Sequence, residues 1–298
     1  MIDKLEMFIT LAQTRHFGRA AEALGIAQPT LSAGIRQLEG ELGVMLVLRG
    51  RSYGGLTPEG ARVLDWARQI VGDARTMKEE MRAARTGLKA GLSGNLRLAV
   101  IPTALTVVAD LTARFARAHP DVRFSVRSAT SEDILTSLDA LQIDAGITYL
   151  ANEPMGRVST VALYQESYVL LVRRDAPEAG LAQVAWADLG RVKLGLMTPD
   201  MQNRRIIARH LAEAGVTAQV GVESNSTIVL VSHVMQGQWA AILPLKAAAI
   251  FTAGGQVVAV PICDPVAHHP VGLVAPWREP HTPIIAALLA EARRMAED

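Results

Sequence analysis

Cysteine is nearly absent from this chain of 298 residues. Cys263 is the single one, so no intrachain disulfide can form. It is expected as a small apolar residue near a strand end rather than as a redox sensor. Long apolar runs are missing too. Half of the residues are apolar, yet no stretch approaches the roughly 18 needed to cross a bilayer. The opening MIDKLEMFITLAQ is an amphipathic, partly acidic pattern without the basic start, apolar core and cleavage site of a signal peptide. A cytoplasmic protein with no membrane partner is expected. No nucleophile elbow, phosphate-binding loop, dinucleotide glycine pattern or metal-ligand helix occurs at a usable spacing. His268 and His269 are adjacent and would face opposite sides of an extended segment. His210 has no second ligand one helical turn further on. No enzyme, metal or cofactor is expected. Charge of one sign is also lacking, with a net charge of +1. Residues 1–91 hold thirteen Lys/Arg and ten Asp/Glu, giving +3, and the remainder holds seventeen and nineteen, giving −2.

What is present is densest between residues 16 and 60, HFGRAAEALGIAQPTLSAGIRQLEGELGVMLVLRGRSYGGLTPEG. This reads as helix, turn, helix and wing. Gly25 suits the left-handed conformation that ends one helix and redirects the chain. Pro29 suits the first position of the next helix, where no backbone N–H is needed. Leu31, Ile35, Leu38 and Leu42 recur at helical spacing and are expected to face inward. Gln28, Thr30, Ser32 and Arg36 fall on the other face, where they can reach base edges and phosphates from a major groove.

The pattern resembles the N-terminal domain of LysR-type transcriptional regulators. The matching residues are Phe17, Ala20-Ala21, Gln28-Pro29, Ser32, Leu38-Glu39, Leu42-Gly43, Arg49 and Leu56-Thr57-Pro58-Glu59-Gly60. Two positions depart from it. Val47 stands where the family usually has Phe, and Ala27 where a Ser or Thr usually caps the recognition helix. The resemblance implies that Gln28, Pro29, Thr30, Ser32, Arg36 and the wing residues Arg49 and Arg51 meet double-stranded promoter DNA. A surplus of three positive charges is modest for that task. Tight binding then needs more than one copy at the operator, because phosphate neutralisation supplies much of the affinity.

Thr57-Pro58-Glu59 reads as a helix start. The helix should run to about Leu88, with Val63, Ala67, Ile70, Ala74, Met77, Met81, Ala84 and Leu88 forming a heptad stripe. Such a stripe pairs with a twin or packs on the chain's own body. The family resemblance implies an antiparallel dimerisation helix. Gly87, Gly91 and Gly94 then loosen the chain into a hinge.

From Asn95 short apolar strands alternate with helices: strands at 95–101, 122–126 and 144–150, helices at 110–120 and 131–142. A parallel doubly wound sheet is expected. A second set follows at 166–174, 193–198, 203–215, 218–224, 228–237 and 239–244, with 271–277 and 283–298 returning to the first lobe. Leu98 to Thr103, Asp144 to Ile147, Gly237 and Leu243-Pro244 resemble the LysR-type effector domain. The expected architecture is an all-α winged helix-turn-helix domain (1–58), a linker helix (59–90) and an α/β two-lobed, periplasmic-binding-protein-like effector domain (91–298). Lobe I would hold about 91–162 and 268–298, and lobe II about 163–267.

In such sheets ligands sit where strands end and helices begin, and helix N-termini suit anions. The effector-binding candidates are Pro102, Thr103 and Ala104, Thr130 and Ser131, Thr148, Thr198, Met201, Asn203 and Arg204, and Thr227. Tyr149, Gln202 and Ser226 lie beside them. Each hydroxyl is also an ordinary helix cap. Arg204 and Arg205 either pair with an effector carboxylate or lie on a solvated face. Trp239 either fills the cavity or faces the surface. The run LMTPDMQNRRII (196–207) together with HFGRAAEALGIAQPTLSAGI (16–35) is similar to regulators of formate dehydrogenase operons, which implies a formate-like small carboxylate.

The family implies a dimer of dimers that bends DNA, with an effector moving one lobe against the other and changing RNA polymerase access. The alternative is a small-molecule binding protein whose N-terminal helices make protein contacts only. Retention on DNA separates the two. Arg36→Ala should lose the salt-dependent retention that the native chain shows; equal retention of both proteins across a salt series would favour the alternative.

Overall fold

The structure, a computed structural model, describes residues 1–49, 53–85, 92–151 and 154–297. Gly87, Leu88, Gly91 and Arg51 lie outside the described residues. The chain forms two compact units: residues 1–94, with which 136–142 group, and the remainder from Asn95.

The first unit contains α1 (Ile2–Thr14), α2 (Phe17–Ala23), α3 (Gln28–Leu42), the strands β1 (Val47–Arg49) and β2 (Tyr53–Leu56), and α4 (Pro58–Arg85). Alongside the helices, β1 and β2 pair antiparallel as a wing. The α2–α3 turn follows the sequence expectation: Gly25 has φ 65°. Pro29 occupies the second helical position rather than the first, since α3 opens at Gln28. His16 caps α2, its Nδ1 accepting from the N–H groups of Gly18 and Arg19 at 3.1 and 3.3 Å. Thr57 opens α4 as expected, with the Gly60 N–H donating to its hydroxyl at 2.9 Å.

Leu31, Ile35 and Leu38 are buried with Leu5, Phe8, Leu11 and Ala20 in one apolar core. Leu42 is 41% exposed, contrary to expectation, because α3 ends there and Gly43 turns the chain away in a left-handed conformation. Two motif residues acquire physical reasons. Buried Glu39 accepts from the N–H groups of Leu46 and Val47 at 3.0 and 3.3 Å, fixing the start of the wing on α3. Gly60 is required because a Cβ there would lie 2.1 Å from the Leu46 carbonyl oxygen.

The heptad stripe divides between two environments. Ala67 and Ala74, expected on it, are buried within their own unit, as are Leu64 and Val71. Ile70, Met77 and Met81, also expected on the stripe, are exposed, and with Trp66 beside them they form the exposed apolar face of α4.

The second unit contains, in order, β3 (Gly94–Val100), α5 (Leu105–Ala118), β4 (Val122–Ser128), α6 (Ser131–Asp139), β5 (Ala145–Tyr149), β6 (Val158–Glu166), β7 (Tyr168–Arg173), β8 (Val184–Ala185), β9 (Lys193–Met197), α7 (Gln202–Glu213), β10 (Gln219–Ser224), α8 (Thr227–Met235), β11 (Ala240–Pro244), α9 (Leu245–Thr252), β12 (Val257–Cys263), β13 (His269–Pro276) and α10 (Pro283–Glu297). Two sheets result, ordered β4-β3-β5-β13-β6 in lobe I and β10-β9-β11-β7-β12-β8 in lobe II. They are mixed rather than wholly parallel. β3 and β5 are parallel, but β13 runs antiparallel to β5 and β6, and β7 antiparallel to β11 and β12. The cause is topological. The chain crosses between lobes twice, at β6–β7 and at β12–β13, and each crossing segment enters its sheet reversed. The segment expected as one strand at 166–174 spans the first crossing, and β6 ends at Glu166.

Ala27 caps α3 with extended backbone (φ −72°, ψ 143°) and no side-chain bond, as its residue type predicts. Ala27→Ser supplies an acceptor for the Thr30 N–H and should stabilise the first unit by roughly 0.5–2 kcal/mol in denaturant unfolding. An unchanged midpoint would mean that this helix end gains nothing from a cap.

Candidate functional site

Two surfaces follow from these elements. On α3, Gln28, Pro29, Thr30 and Arg36 are exposed and Ser32 half-buried, directly opposite the buried Leu31, Ile35 and Leu38. The Arg36 Nε donates to the Ser32 carbonyl at 3.3 Å, drawing the guanidinium along the helix. Arg49 is a β1 residue, placed in the wing by its backbone.

The second surface is a cavity in the second unit, of about 10 Å³ and lined by Ile101, Pro102, Thr103, Ser131, Tyr149, Met197, Met201, Gln202 and Asn203. Strand–helix turns deliver these residues. Thr103 lies on the single turn of 3₁₀ helix between β3 and α5, Ser131 starts α6, and Gln202 and Asn203 start α7. Helix starts turn their N–H groups and positive dipole ends toward this point. The polar groups here are unusual. Thr103 Oγ1, Ser131 Oγ, Thr148 Oγ1, Thr198 Oγ1, Gln202 Oε1 and Asn203 Oδ1 are all buried without a protein partner. Buried polar atoms are normally paired, so this concentration marks a place for a polar ligand.

The amide nitrogens of the same two residues are engaged. Gln202 Nε2 donates to the Ala151 carbonyl at 2.9 Å, and Asn203 Nδ2 to the Tyr149 hydroxyl at 3.2 Å. Tyr149 in turn donates to Glu166 in a short hydrogen bond, joined by Tyr168 at 3.2 Å and Tyr164 at 3.3 Å. Glu166 is 1% exposed. Burial pushes its carboxyl up to about 7, against the opposing pull of the three hydroxyls. Its register partner on β13 is His269. The Nε2 atoms of His269 and of His210 on α7 lie 3.0 Å apart. Trp186 stacks on His210 at 4.9 Å and donates from Nε1 to the Pro265 carbonyl at 3.1 Å. Burial and the neighbouring His210 push His269 down to about 4, and burial also lowers His210. Both rings are therefore neutral at physiological pH, and one N–H donates to the other.

Of the effector candidates, Pro102, Thr103, Ser131, Met201 and Asn203 line the cavity. Thr148 and Thr198 are not on its wall but share the unpartnered character. Thr130 is a helix cap, accepting from the Asp133 N–H at 3.0 Å. Ala104 is buried behind Thr103, and Thr227 starts α8; neither is on the cavity wall. Arg204 turns to Glu223 at 3.5 Å rather than to the cavity, and the Arg205 guanidinium binds the Asp200 carbonyl at 2.7 Å. Trp239 faces away from the cavity, packing against Gly221 and edge-on to His233 at 5.5 Å. The cavity is small because Ile101, Met197 and Met201 fill it. Tyr149 lay beside the expected candidates, but Glu166, Tyr164 and Tyr168 were not anticipated, nor was the pairing of His210 with His269. Three titratable residues within 164–168, Tyr164, Glu166 and Tyr168, at a strand crossing were the available signal.

Comparison with known proteins fits both surfaces. Residues 2–61 match the bacterial regulatory helix-turn-helix protein, lysR family, and residues 89–297 the LysR substrate binding domain. The DNA-binding transcriptional dual regulator OxyR of Escherichia coli K12 is 31% identical over 301 residues, covering 100% of this chain and 96% of that protein. A probable hydrogen peroxide-inducible genes activator of Mycobacterium xenopi is 35% identical over 181 residues, covering 60% of this chain and 93% of that protein. Among solved structures, a full-length cysteine-to-aspartate variant of OxyR from Pseudomonas aeruginosa has a TM-score of 0.70 at 27% identity, covering 98% and 94% of the two chains. Full-length CbnR in complex with its target DNA has a TM-score of 0.60 at 24% identity, covering 99% of each, which shows the shared fold.

The unpartnered hydroxyls carry a stability prediction. Thr103→Val keeps the shape and removes a buried orphan oxygen, so the ligand-free protein should gain about 1 kcal/mol in chemical denaturation. A loss of similar size would mean that the fold itself uses that hydroxyl.

Proposed function

This chain belongs to the LysR family of DNA-binding transcriptional regulators, and we propose that its activity is set by a small carboxylate of the formate class. The single observation that carries this is the convergence of the unpartnered buried hydroxyls of Thr103 and Ser131, which can donate to an anion, on a cavity of about 10 Å³ between helix starts. Space of that size admits about one water-sized body. An aromatic or long-chain effector would need the lining rebuilt, whereas one of the smallest acids needs only a slight parting of the lobes. The helix starts supply the positive potential that an anion requires, and the resemblance of 196–207 to regulators of formate dehydrogenase operons points the same way.

Hydrogen peroxide is the second reading, favoured by the names of the relatives. Cys263 speaks against a thiol route. It is the only cysteine, and burial together with the adjacent Asp264 raises its thiol above the ordinary value. A thiolate is the reactive species, so peroxide would have to act through the same hydroxyl-lined cavity.

In the proposed mechanism α3 enters the major groove with Gln28, Thr30, Ser32 and Arg36 toward the bases and phosphates, and the wing arginines Arg49 and Arg51 flank it. Trp66, Ile70, Met77 and Met81 form the face of α4 that pairs with a second copy, since an exposed apolar stripe of this kind marks a partner surface. Dimers join into tetramers, and the effector changes the angle between DNA-binding pairs and so the access of RNA polymerase.

Thermal melting across a panel of small acids and hydrogen peroxide tests the effector class. Formate should raise the midpoint, linkage giving about 2.7 kcal/mol at a hundredfold excess over the dissociation constant. Thr103→Val and Ser131→Ala should remove the response. A shift with peroxide alone, abolished by Cys263→Ser, would overturn the carboxylate reading.

A further inference from the structure

We propose that Glu166 is a specificity-determining residue that sets the hydrogen-bonding polarity of the effector cavity through Tyr149 and Asn203, so that a small carboxylate anion enters together with one proton taken up at Glu166. This rests on the carboxylate reading of the cavity and adds to it the protonation state in which the site accepts its ligand.

Hydrogen-bond direction carries the inference. An ionised carboxylate has no proton to give and only accepts. The Tyr149 hydroxyl therefore commits its one proton to Glu166 and turns its lone pair to Asn203, whose Nδ2 donates to it at 3.2 Å. Asn203 is thereby fixed with Nδ2 toward Tyr149 and with Oδ1 unpartnered at the cavity it lines. Gln202 repeats the arrangement: its Nε2 is held by the Ala151 carbonyl and its Oε1 is unpartnered. With Glu166 ionised, the cavity thus presents two amide acceptors, which repel an anion.

Protonated Glu166 reverses the chain. Its O–H donates to Tyr149, the Tyr149 proton turns to Asn203, and the Asn203 amide turns over to offer N–H to the cavity. The anion then meets a donor, and the buried negative charge of Glu166 is gone. Both changes favour the same state, so ligand and proton enter together.

The surroundings allow Glu166 to be the group that titrates. Facing it are Tyr149 from β5, Tyr164 on its own β6, Tyr168 from β7 and its register partner His269 from β13, which pairs with His210 on α7. Lys246 on α9 lies over the Tyr164 ring at 4.7 Å. The tyrosines are pushed up by burial and by Glu166 itself, and the histidines are pushed down, so these neighbours stay neutral around pH 7. Burial places the Glu166 carboxyl at about 7.

Isothermal titration of the full chain with sodium formate tests this between pH 6 and 8.5, in two buffers of different ionisation enthalpy. The native protein should bind most tightly below pH 7, lose about tenfold in affinity for each pH unit above it, and take up about one proton per formate at the alkaline end. Glu166→Gln, a permanent neutral isostere, should bind at pH 8.5 about as tightly as the native protein does at pH 6, with no buffer-dependent heat. Tyr149→Phe cuts the chain of hydrogen bonds and frees Asn203, so its profile should also be flat. Native binding that is constant with pH and takes up no proton overturns the inference while leaving the carboxylate reading intact. A native-like pH profile in both variants also overturns it. Absence of formate binding in all three proteins at every pH sinks the carboxylate reading, and this inference with it.

Discussion

Buried oxygen atoms that the fold leaves unpaired are the constraint on which the second unit turns. An orphaned buried polar group costs about 1–3 kcal/mol, and Thr103, Ser131, Thr148, Thr198, Gln202 and Asn203 each hold one. A chain selected for stability alone would place Val or Leu at several of these positions. Four of them, Thr103, Ser131, Gln202 and Asn203, lie at helix starts on the cavity wall, where backbone N–H groups also converge, an arrangement suited to a polar partner that completes the set. The apolar lining from Ile101, Met197 and Met201 then has a complementary role: it shrinks the space until a small body alone fits, and it lowers the local dielectric so that each polar contact counts for more.

The two strand crossings place chemistry where a two-lobed fold bends. β6 ends at Glu166 and β7 begins at Tyr168; β12 ends at Cys263 and β13 begins at His269. Glu166 and His269 are register partners, so the crossings meet in one polar cluster inside an otherwise apolar sheet. Helix α7 is tied to that cluster at two points one face apart, at Asn203 through Tyr149 and at His210 through His269. A shift of α7 with its lobe therefore acts on both hydrogen bonds at once. The cavity wall at Gln202 and Asn203 and the geometry of the crossings are mechanically one system.

How much of this the sequence revealed depended on the range of the interaction concerned. The helix-turn-helix was legible because its signals are local: Gly25 for the turn, Pro29 for the helix start, Leu31, Ile35 and Leu38 for the buried face. Thr103, Ser131 and Asn203 were legible as residues at the helix starts that follow strands, a rule of topology. Arg204 and Thr130 were not, because the same residue types at the same kind of position serve as an ion pair and a cap. The mixed sheets were missed since strand direction depends on which partner a crossing strand finds, and periodicity carries no direction. Glu166 and the His210–His269 pair were missed for a related reason: fifty-nine residues separate the two histidines in sequence, and their meeting is decided by how helix α7 packs beside β13.

Helix α4 illustrates why periodicity alone misassigns a surface. A heptad pattern fixes which residues share a stripe but not which neighbour covers it. Ala67 and Ala74 fit the stripe by spacing, yet their small side chains allow α4 to lie close against its own unit, and Leu64 and Val71 complete that buried face. The stripe's other members and the residue beside them carry the bulk: Met77 is 55% exposed and Trp66 64% exposed. Small residues where the helix meets its own core, and large flexible ones beside them, divide one helix between a packed face and an exposed apolar one. Methionines suit the second role, since their unbranched side chains adapt to a partner without a fixed shape. A substitution that tilts α4 on its core therefore also reorients its exposed apolar face. With a surplus of only three positive charges in residues 1–91, the proposed oligomer would supply the phosphate neutralisation that tight DNA binding needs, and α4 is the element whose chemistry suits it.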